Sequence, residues 1–289
     1  MELARSTGAR SIFVVGTGRN VGKTTALRAM YAAAARAGIR AGLASIGRDG
    51  EPSTQGEAFA KPRLWLQPET FFATARTLLP PFPAAEIVKL SPLRSAAGGL
   101  LFARVVLPGF FELAGPPTAS GVRDVVDELL TRSELAIVDG AVDRVSAVAG
   151  VAGAVVVAGG AAAATTLQEA VIDFASLVAR LQIPAFDPAI PAIELAGALS
   201  AAEAAALIAR GERRQIVVRD PTQFLLSGRP AREALATLAI RCRRPLRVVA
   251  ATVSSSGSET NFEPAEFAGA IAAATKLPTF DVYRGVRAA

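Results

Sequence analysis

Residues Ser11 to Val15 (SIFVV) form a short uncharged apolar run, and GTGRNVGKTT follows at once, from Gly16 to Thr25. A buried strand that enters a glycine-rich turn and then opens a helix has few uses. The glycines let backbone N–H groups converge on one point, and the helix start adds partial positive charge there. Such a loop holds phosphate groups. Within it the Lys23 side chain reaches the β- and γ-phosphates of a nucleoside triphosphate, and the Thr24 hydroxyl can ligate Mg²⁺. The candidate nucleotide-binding residues are therefore Gly16, Thr17, Gly18, Arg19, Asn20, Val21, Gly22, Lys23, Thr24 and Thr25. The strict pattern puts four residues between its glycines; here five separate Gly16 from Gly22, and Thr17 holds the strict position. A nicotinamide dinucleotide loop is excluded because Val21 stands where its third glycine would be.

Two absences narrow the chemistry. The chain has no histidine, so no Ser-His-Asp triad, Cys-His pair or imidazole metal site forms within it. A single cysteine, Cys242, excludes an intrachain disulfide and a thiolate zinc cluster. Any metal is then hard and oxygen-ligated, which favours Mg²⁺. Low cysteine usage and the polar stretch Met1 to Arg10, which is no secretory leader, give a cytoplasmic expectation.

The net charge of +6 is carried mostly by arginine, with basic clusters at Arg213-Arg214 and at Arg241, Arg243, Arg244 and Arg247. No aromatic residues interleave with them to stack bases, so they read as solvated or partner-facing surface, with no nucleic acid expected. AVVVAGGAAAATT, within a stretch short of charge from Val145 to Ala170, is too rich in small residues for a membrane span. It reads as a buried strand and a glycine turn at Gly159-Gly160, with no membrane.

Apolar strand-like runs alternate with helix-period segments along the chain. Strands are expected at 11–15, 41–46, 63–66, 135–139 and 154–158, with helices after the glycine loop, over 69–79 and over 121–132. The segments 87–90, 100–107 and 109–115 follow one another too closely for crossover helices, so they read as antiparallel. Thr166 and Glu169 form a capping box for a helix through Leu181. Beyond Pro184 come helices at 200–210, after Pro230 and at 264–274, and strands at 215–218, 247–253 and 279–283. The fold class is α/β, a mostly parallel helix-covered sheet of the P-loop NTPase type with a C-terminal α/β extension. The expected domains are a nucleotide-binding domain over 1–185 and a smaller α/β extension or second domain over 186–289.

A phosphate site of this kind needs an acid at the end of a neighbouring strand. LAIVDGA supplies Asp139, a candidate catalytic group with Lys23 and a candidate Mg²⁺ ligand with Thr24. Asp49, in SIGRDGE after the second strand, is the third candidate metal ligand, and Arg48, Asp143 and Arg144 lie close to these acids in sequence.

GTGRNVGKT resembles the GT-x-x-x-VGKT loop of dethiobiotin synthetase and its relatives, the MinD and nitrogenase iron-protein branch, and LAIVDGA resembles that family's V-E-G-A segment with Asp in place of Glu. The resemblance breaks at the acceptor site: SIGRDG has no lysine where the family has a K-P-V segment, and Gly159-Gly160 stand where it has a base-recognising asparagine. Over more of the chain, SIFVVGTGRNVGKTT, SIGRDGE, KPRLWL, ELAGP, ELAIVDGAVDR and FEPAEF…LPTFDV resemble the reactivating subunit associated with lysine 5,6-aminomutase. That resemblance implies a cobalamin enzyme and a MutS-like ATPase as partners. The function classes are thus a switch or reactivating factor driven by ATP or GTP, and an ATP-dependent ligase or kinase acting on a small carboxylate or amine. A regulatory binder with slow hydrolysis is the third, and a homodimer stays open.

Overall fold

The structure is a computed structural model that describes residues 8–18, 20–46, 63–80, 84–140, 153–257 and 259–288. Arg19, Arg48, Asp49, Asp143 and Arg144 lie outside the described residues. The chain divides into two compact units, Met1–Gly16 with Gly22–Ala158, and Thr17–Val21 with Gly159–Ala289.

In the first unit β1 (Ser11–Gly16), β2 (Ala41–Ser45) and β8 (Leu135–Asp139) lie side by side, with β8 between the other two and every pairing parallel. β9 (Ala154–Gly160) pairs with β1 on its other side, also parallel. These strands are apolar on both faces because helices cover them, so their sequences run hydrophobic rather than alternating. Helix α1 (Lys23–Arg36) buries Ala26, Leu27 and Ala34, and stops where Gly38 takes a left-handed φ of 67°. Helix α2 (Ala119–Leu130) starts at Thr118, whose hydroxyl accepts from the Gly121 N–H, and buries Val122, Val125, Val126 and Leu129 along one stripe.

The sheet continues through β4 (Phe71–Ala75), parallel to β2, and then turns antiparallel. β6 (Gly98–Val105) pairs with β4 on one side and with β5 (Ala85–Ser95) on the other. A separate two-stranded antiparallel ribbon joins β3 (Leu64–Leu66) to β7 (Gly109–Phe111).

The second unit carries two sets of paired strands. β10 (Ala192–Glu194), β11 (Gln215–Val218) and β12 (Ile240–Cys242) are parallel, with β11 in the middle. Their core gathers Ile183, Leu199, Leu207, Ile216, Phe224 and Leu238. β13 (Arg247–Ser254) pairs parallel with β14 (Thr279–Asp281), and β15 (Arg287–Ala288) adds antiparallel to β14. Four helices accompany them. α3 (Leu167–Leu181) and α4 (Ala201–Ala209) both open with a capping box, Thr166 with Glu169 and Ser200 with Glu203. α5 (Gly228–Thr237) follows, and α6 (Pro264–Thr275) begins with Pro264 in its first turn and ends at Lys276, φ 58°.

The fold class is the expected α/β one, and four local expectations are corrected. The helix expected over 69–79 is instead β4 followed by a short 3₁₀ turn at Arg76–Leu78. All five β4 residues are buried, and a short strand apolar on both faces carries no period to separate it from a helix. Pairing with β2 and β6 decides the matter, and Glu69 at φ 66° departs from helical geometry just before it. The expected Gly159-Gly160 turn is the last two residues of β9. Of the expected strand 109–115, only Gly109–Phe111 is extended into a pair, and its partner is β3. The last strand ends at Asp281, whose carboxylate accepts from the Tyr283 and Arg284 N–H groups at 2.9 and 2.8 Å and turns the chain.

Candidate functional site

The phosphate loop leaves β1 at Gly16 and reaches α1 at Lys23. Asn20 at φ 56° and Gly22 at φ 88° are left-handed, a backbone course that lets neighbouring N–H groups face one side. Gly22 caps α1 without a side-chain hydrogen bond, and no acidic residue stands in the first turn. A helix start of this kind is suited to a bound anion rather than to a side-chain cap.

Lys23 and Thr24 are the first residues of α1 and are half-buried. The Thr24 hydroxyl donates to the Asp139 carboxylate at 3.1 Å. Asp139 is the last residue of β8, between Val14 of β1 and Ser45 of β2 in the register. Its carbonyl accepts from the Ile46 N–H at 2.8 Å, and the next N–H, of Gly140, is bonded to the Val14 carbonyl at 2.8 Å. The strand end is thereby pinned on both sides. A Cβ on Gly140 would stand 2.5 Å from the Val14 oxygen, so the Asp-Gly pair in LAIVDGA is set by packing as well as chemistry. Gly115, in ELAGP, is under the same constraint: a Cβ there would lie 1.5 Å from the Ser45 carbonyl oxygen. Sequence reasoning singled out no role for Gly115, since only the fold brings residue 115 against the end of β2.

The middle of the loop, Thr17 to Val21, belongs to the second compact unit. There a Cβ added at Gly160 would stand 2.9 Å from Val21 Cα, and one added at Gly18 would meet the Ala163 side chain at 3.4 Å. Val21 itself is 1% exposed. Thr17 borders a cavity of about 30 Å³ with Gly159, Gly160, Ala163 and Asp173, which is room for about one water molecule and not for a nucleotide base.

Thr24 and Asp139 together offer two hard oxygens at hydrogen-bonding distance, a donor set that fits Mg²⁺, which takes few protein ligands and completes its shell with phosphate oxygens and water. Among the described residues no group of three or more Asp, Glu, Cys or His side chains could hold a metal by itself. The basic clusters are engaged locally. Arg214 pairs with Glu212 at 2.8 Å, and Arg243 pairs with Glu194 and stacks 4.0 Å from the Phe186 ring centroid. No helix among the described residues is long and apolar enough to cross a membrane.

The parallel sheet, the glycine loop between β1 and α1, and the acid at the end of β8 define a P-loop nucleotide-binding protein of the NTPase type. A family described as a domain of unknown function, the DUF1611_C P-loop domain, matches residues 2–59, which contain β1, the loop, α1 and β2. Comparison with curated proteins and with solved structures finds no match.

Proposed function

We propose that the chain binds ATP or GTP with Mg²⁺, hydrolyses it, and uses the cycle as a switch on a partner protein. The observation that carries the first part is the 3.1 Å bond from Thr24 to Asp139 beside a helix start that has no side-chain cap. In this reading the loop N–H groups hold the phosphates and the Lys23 ammonium lies against the β- and γ-oxygens. Thr24 and Asp139 would hold the cation, which would neutralise charge on the phosphate oxygens. Asp139 also orients the attacking water. Water adds to the γ-phosphorus, the bond to the β–γ bridging oxygen breaks, and the nucleoside diphosphate and inorganic phosphate leave.

The switch part rests on two supports. SIGRDG after β2 has no lysine to receive a small acceptor, as the dethiobiotin synthetase type would require. The sheet β10–β12 has its own core from Ile183 to Cys242, which suits an α/β extension over 186–289 beside a nucleotide-binding domain over 1–185. The partner proposed is a cobalamin-dependent aminomutase, acting with a MutS-like ATPase, on the segment resemblances given above. The test inactivates such a mutase by turnover and adds this protein, the ATPase, fresh cofactor and nucleotide. Recovery is expected only with all of them; recovery undiminished with the Lys23→Ala protein, or without nucleotide, rejects the proposal. Hydrolysis stimulated by a small carboxylate or amine, and not by the mutase, selects the ligase reading.

A further inference from the structure

One side of α1, together with the β3–β7 ribbon, lines a groove of about 500 Å³ within the first unit. Its walls are Leu27, Ala32 and Ala35 of the helix and Leu64, Leu66, Trp65 and Phe110 of the ribbon. Trp65 and Phe110 stand directly opposite each other across the two strands, their rings edge to face at 5.0 Å. They remain 48% and 58% exposed, and Leu107, in the segment leading into β7, is 50% exposed. A ribbon that shows two of its three aromatic residues to solvent differs from an ordinary surface, where large apolar residues stand singly.

The groove is held open by polar bonds. The Arg28 guanidinium donates to the Arg63 carbonyl, and the Tyr31 hydroxyl accepts from the Gln67 N–H at 3.0 Å and shares a hydrogen bond with the Thr70 hydroxyl. The ribbon is thus fixed to the helix at its edges; Leu27, Leu64 and Leu66 of the wall are buried, while Trp65, Phe110 and Ala35 stay exposed. The charged residues of the wall are Arg28 and Arg36, both exposed, and neither pairs with a described carboxylate. Trp, Tyr, Phe and Arg with no Lys, Asp or Glu is the composition of a protein interface centre, and it differs from that of a solvated face.

We infer that this groove docks a segment of a partner protein that carries apolar anchors flanked by acidic residues. Apolar side chains fill the space between α1 and the aromatic pair, and acidic flanks meet Arg28 and Arg36. The inference deepens the switch reading, on which it rests, by naming the partner's face: α1 begins with Lys23 and Thr24, so an occupant beside Leu27 and Arg28 sits one turn from the phosphate site.

Trp65 is the only tryptophan in the chain, so its emission reports on the groove without a label. The probes are synthetic helical peptides with Leu and Phe anchors at i, i+4 and i+7, flanked by Glu in one and by Lys in the other. The Glu-flanked peptide is expected to shift Trp65 emission saturably, with binding at least about tenfold weaker for the Lys-flanked peptide and for Arg36→Glu, an exposed change that leaves the fold intact. Phe110→Ser should weaken both probes. Equal binding of the two peptides, or no saturable shift, overturns the inference. Emission that moves with protein concentration alone makes a second copy the occupant and overturns it as well. A calorimetric nucleotide titration on the same preparation keeps the two readings apart: peptide binding without nucleotide binding sinks the switch and spares the groove, and the converse sinks the groove alone.

Discussion

The hydroxyl of Thr24, at the first turn of α1, donates to the carboxylate of Asp139, at the last residue of β8, across 115 residues of chain at 3.1 Å. The pair joins the two elements that any Mg²⁺-dependent phosphate chemistry here would need. Asp139→Asn keeps a side chain of the same shape that can still accept from Thr24, but removes the negative charge. Nucleotide binding should therefore survive, while hydrolysis falls by about a hundredfold or more, in line with loss of one electrostatic group from a transition state. Steady-state phosphate release at varied Mg²⁺ checks this. Unchanged hydrolysis would leave Asp139 with the task of ending β8 only.

Lys23 should behave differently. Its charge acts on phosphate oxygens in the ground state and the transition state alike, so Lys23→Ala should weaken nucleotide binding itself, by at least about tenfold for one lost charge-assisted contact. Calorimetry with ATP and with GTP measures it, and a thermal melt of the variant shows whether the fold has been kept. Equal affinities of parent and variant would remove the loop assignment.

What the sequence made legible follows from how local each cause is. The loop, the Thr166–Glu169 capping box and the amphipathic stripe of α2 are written within a few consecutive residues, and they appear where the spacing places them. β4 was illegible because burial on both faces erased its period, and β10 and β12 because three residues each carry too little pattern to read. The meeting of Thr24 with Asp139 could be expected from motif order, whereas the Gly115 approach to Ser45 and the Tyr31 bond to Thr70 depend on tertiary placement alone.

Cys242, fully buried in β12, gives the chain an alkaline sensitivity. Burial first, and then the Asp220 carboxylate nearby, push its thiol from the ordinary value of 9.0 up to about 11. The folded chain therefore holds this proton more tightly than the unfolded one. The stabilisation is complete below pH 9 and is lost as pH rises towards about 11, at about 1.4 kcal/mol per pH unit at most. Urea midpoints at pH 8 and 10.5 should fall more steeply for the parent than for Cys242→Ala. Parallel slopes would show that other groups account for the whole decline.

Gly159 and Gly160, side by side at the end of β9, should fail in different ways when each is changed to alanine. A Cβ at Gly159 would stand 2.3 Å from Phe174 Cδ2, and Phe174 is a fully buried ring on α3. The conflict lies within the core, so Gly159→Ala should cost stability of about 1–3 kcal/mol, as overpacking does, with little change in nucleotide affinity for the protein that remains folded. Trimming the ring should relieve it: Gly159→Ala in a Phe174→Leu background should cost less than in the parent. At Gly160 a Cβ would instead stand 2.9 Å from Val21 Cα, backbone of the phosphate loop, and 3.4 Å from Ser254 Cβ. Gly160 is extended, at φ −154°, so alanine brings no backbone strain of its own. The loop must move, and Gly160→Ala should lower nucleotide affinity by more than its effect on the melting temperature accounts for. Melting curves and nucleotide titrations of the two variants decide the matter. If both variants lose stability equally and both keep the parent's affinity, the Gly160 contact does not set the loop's position.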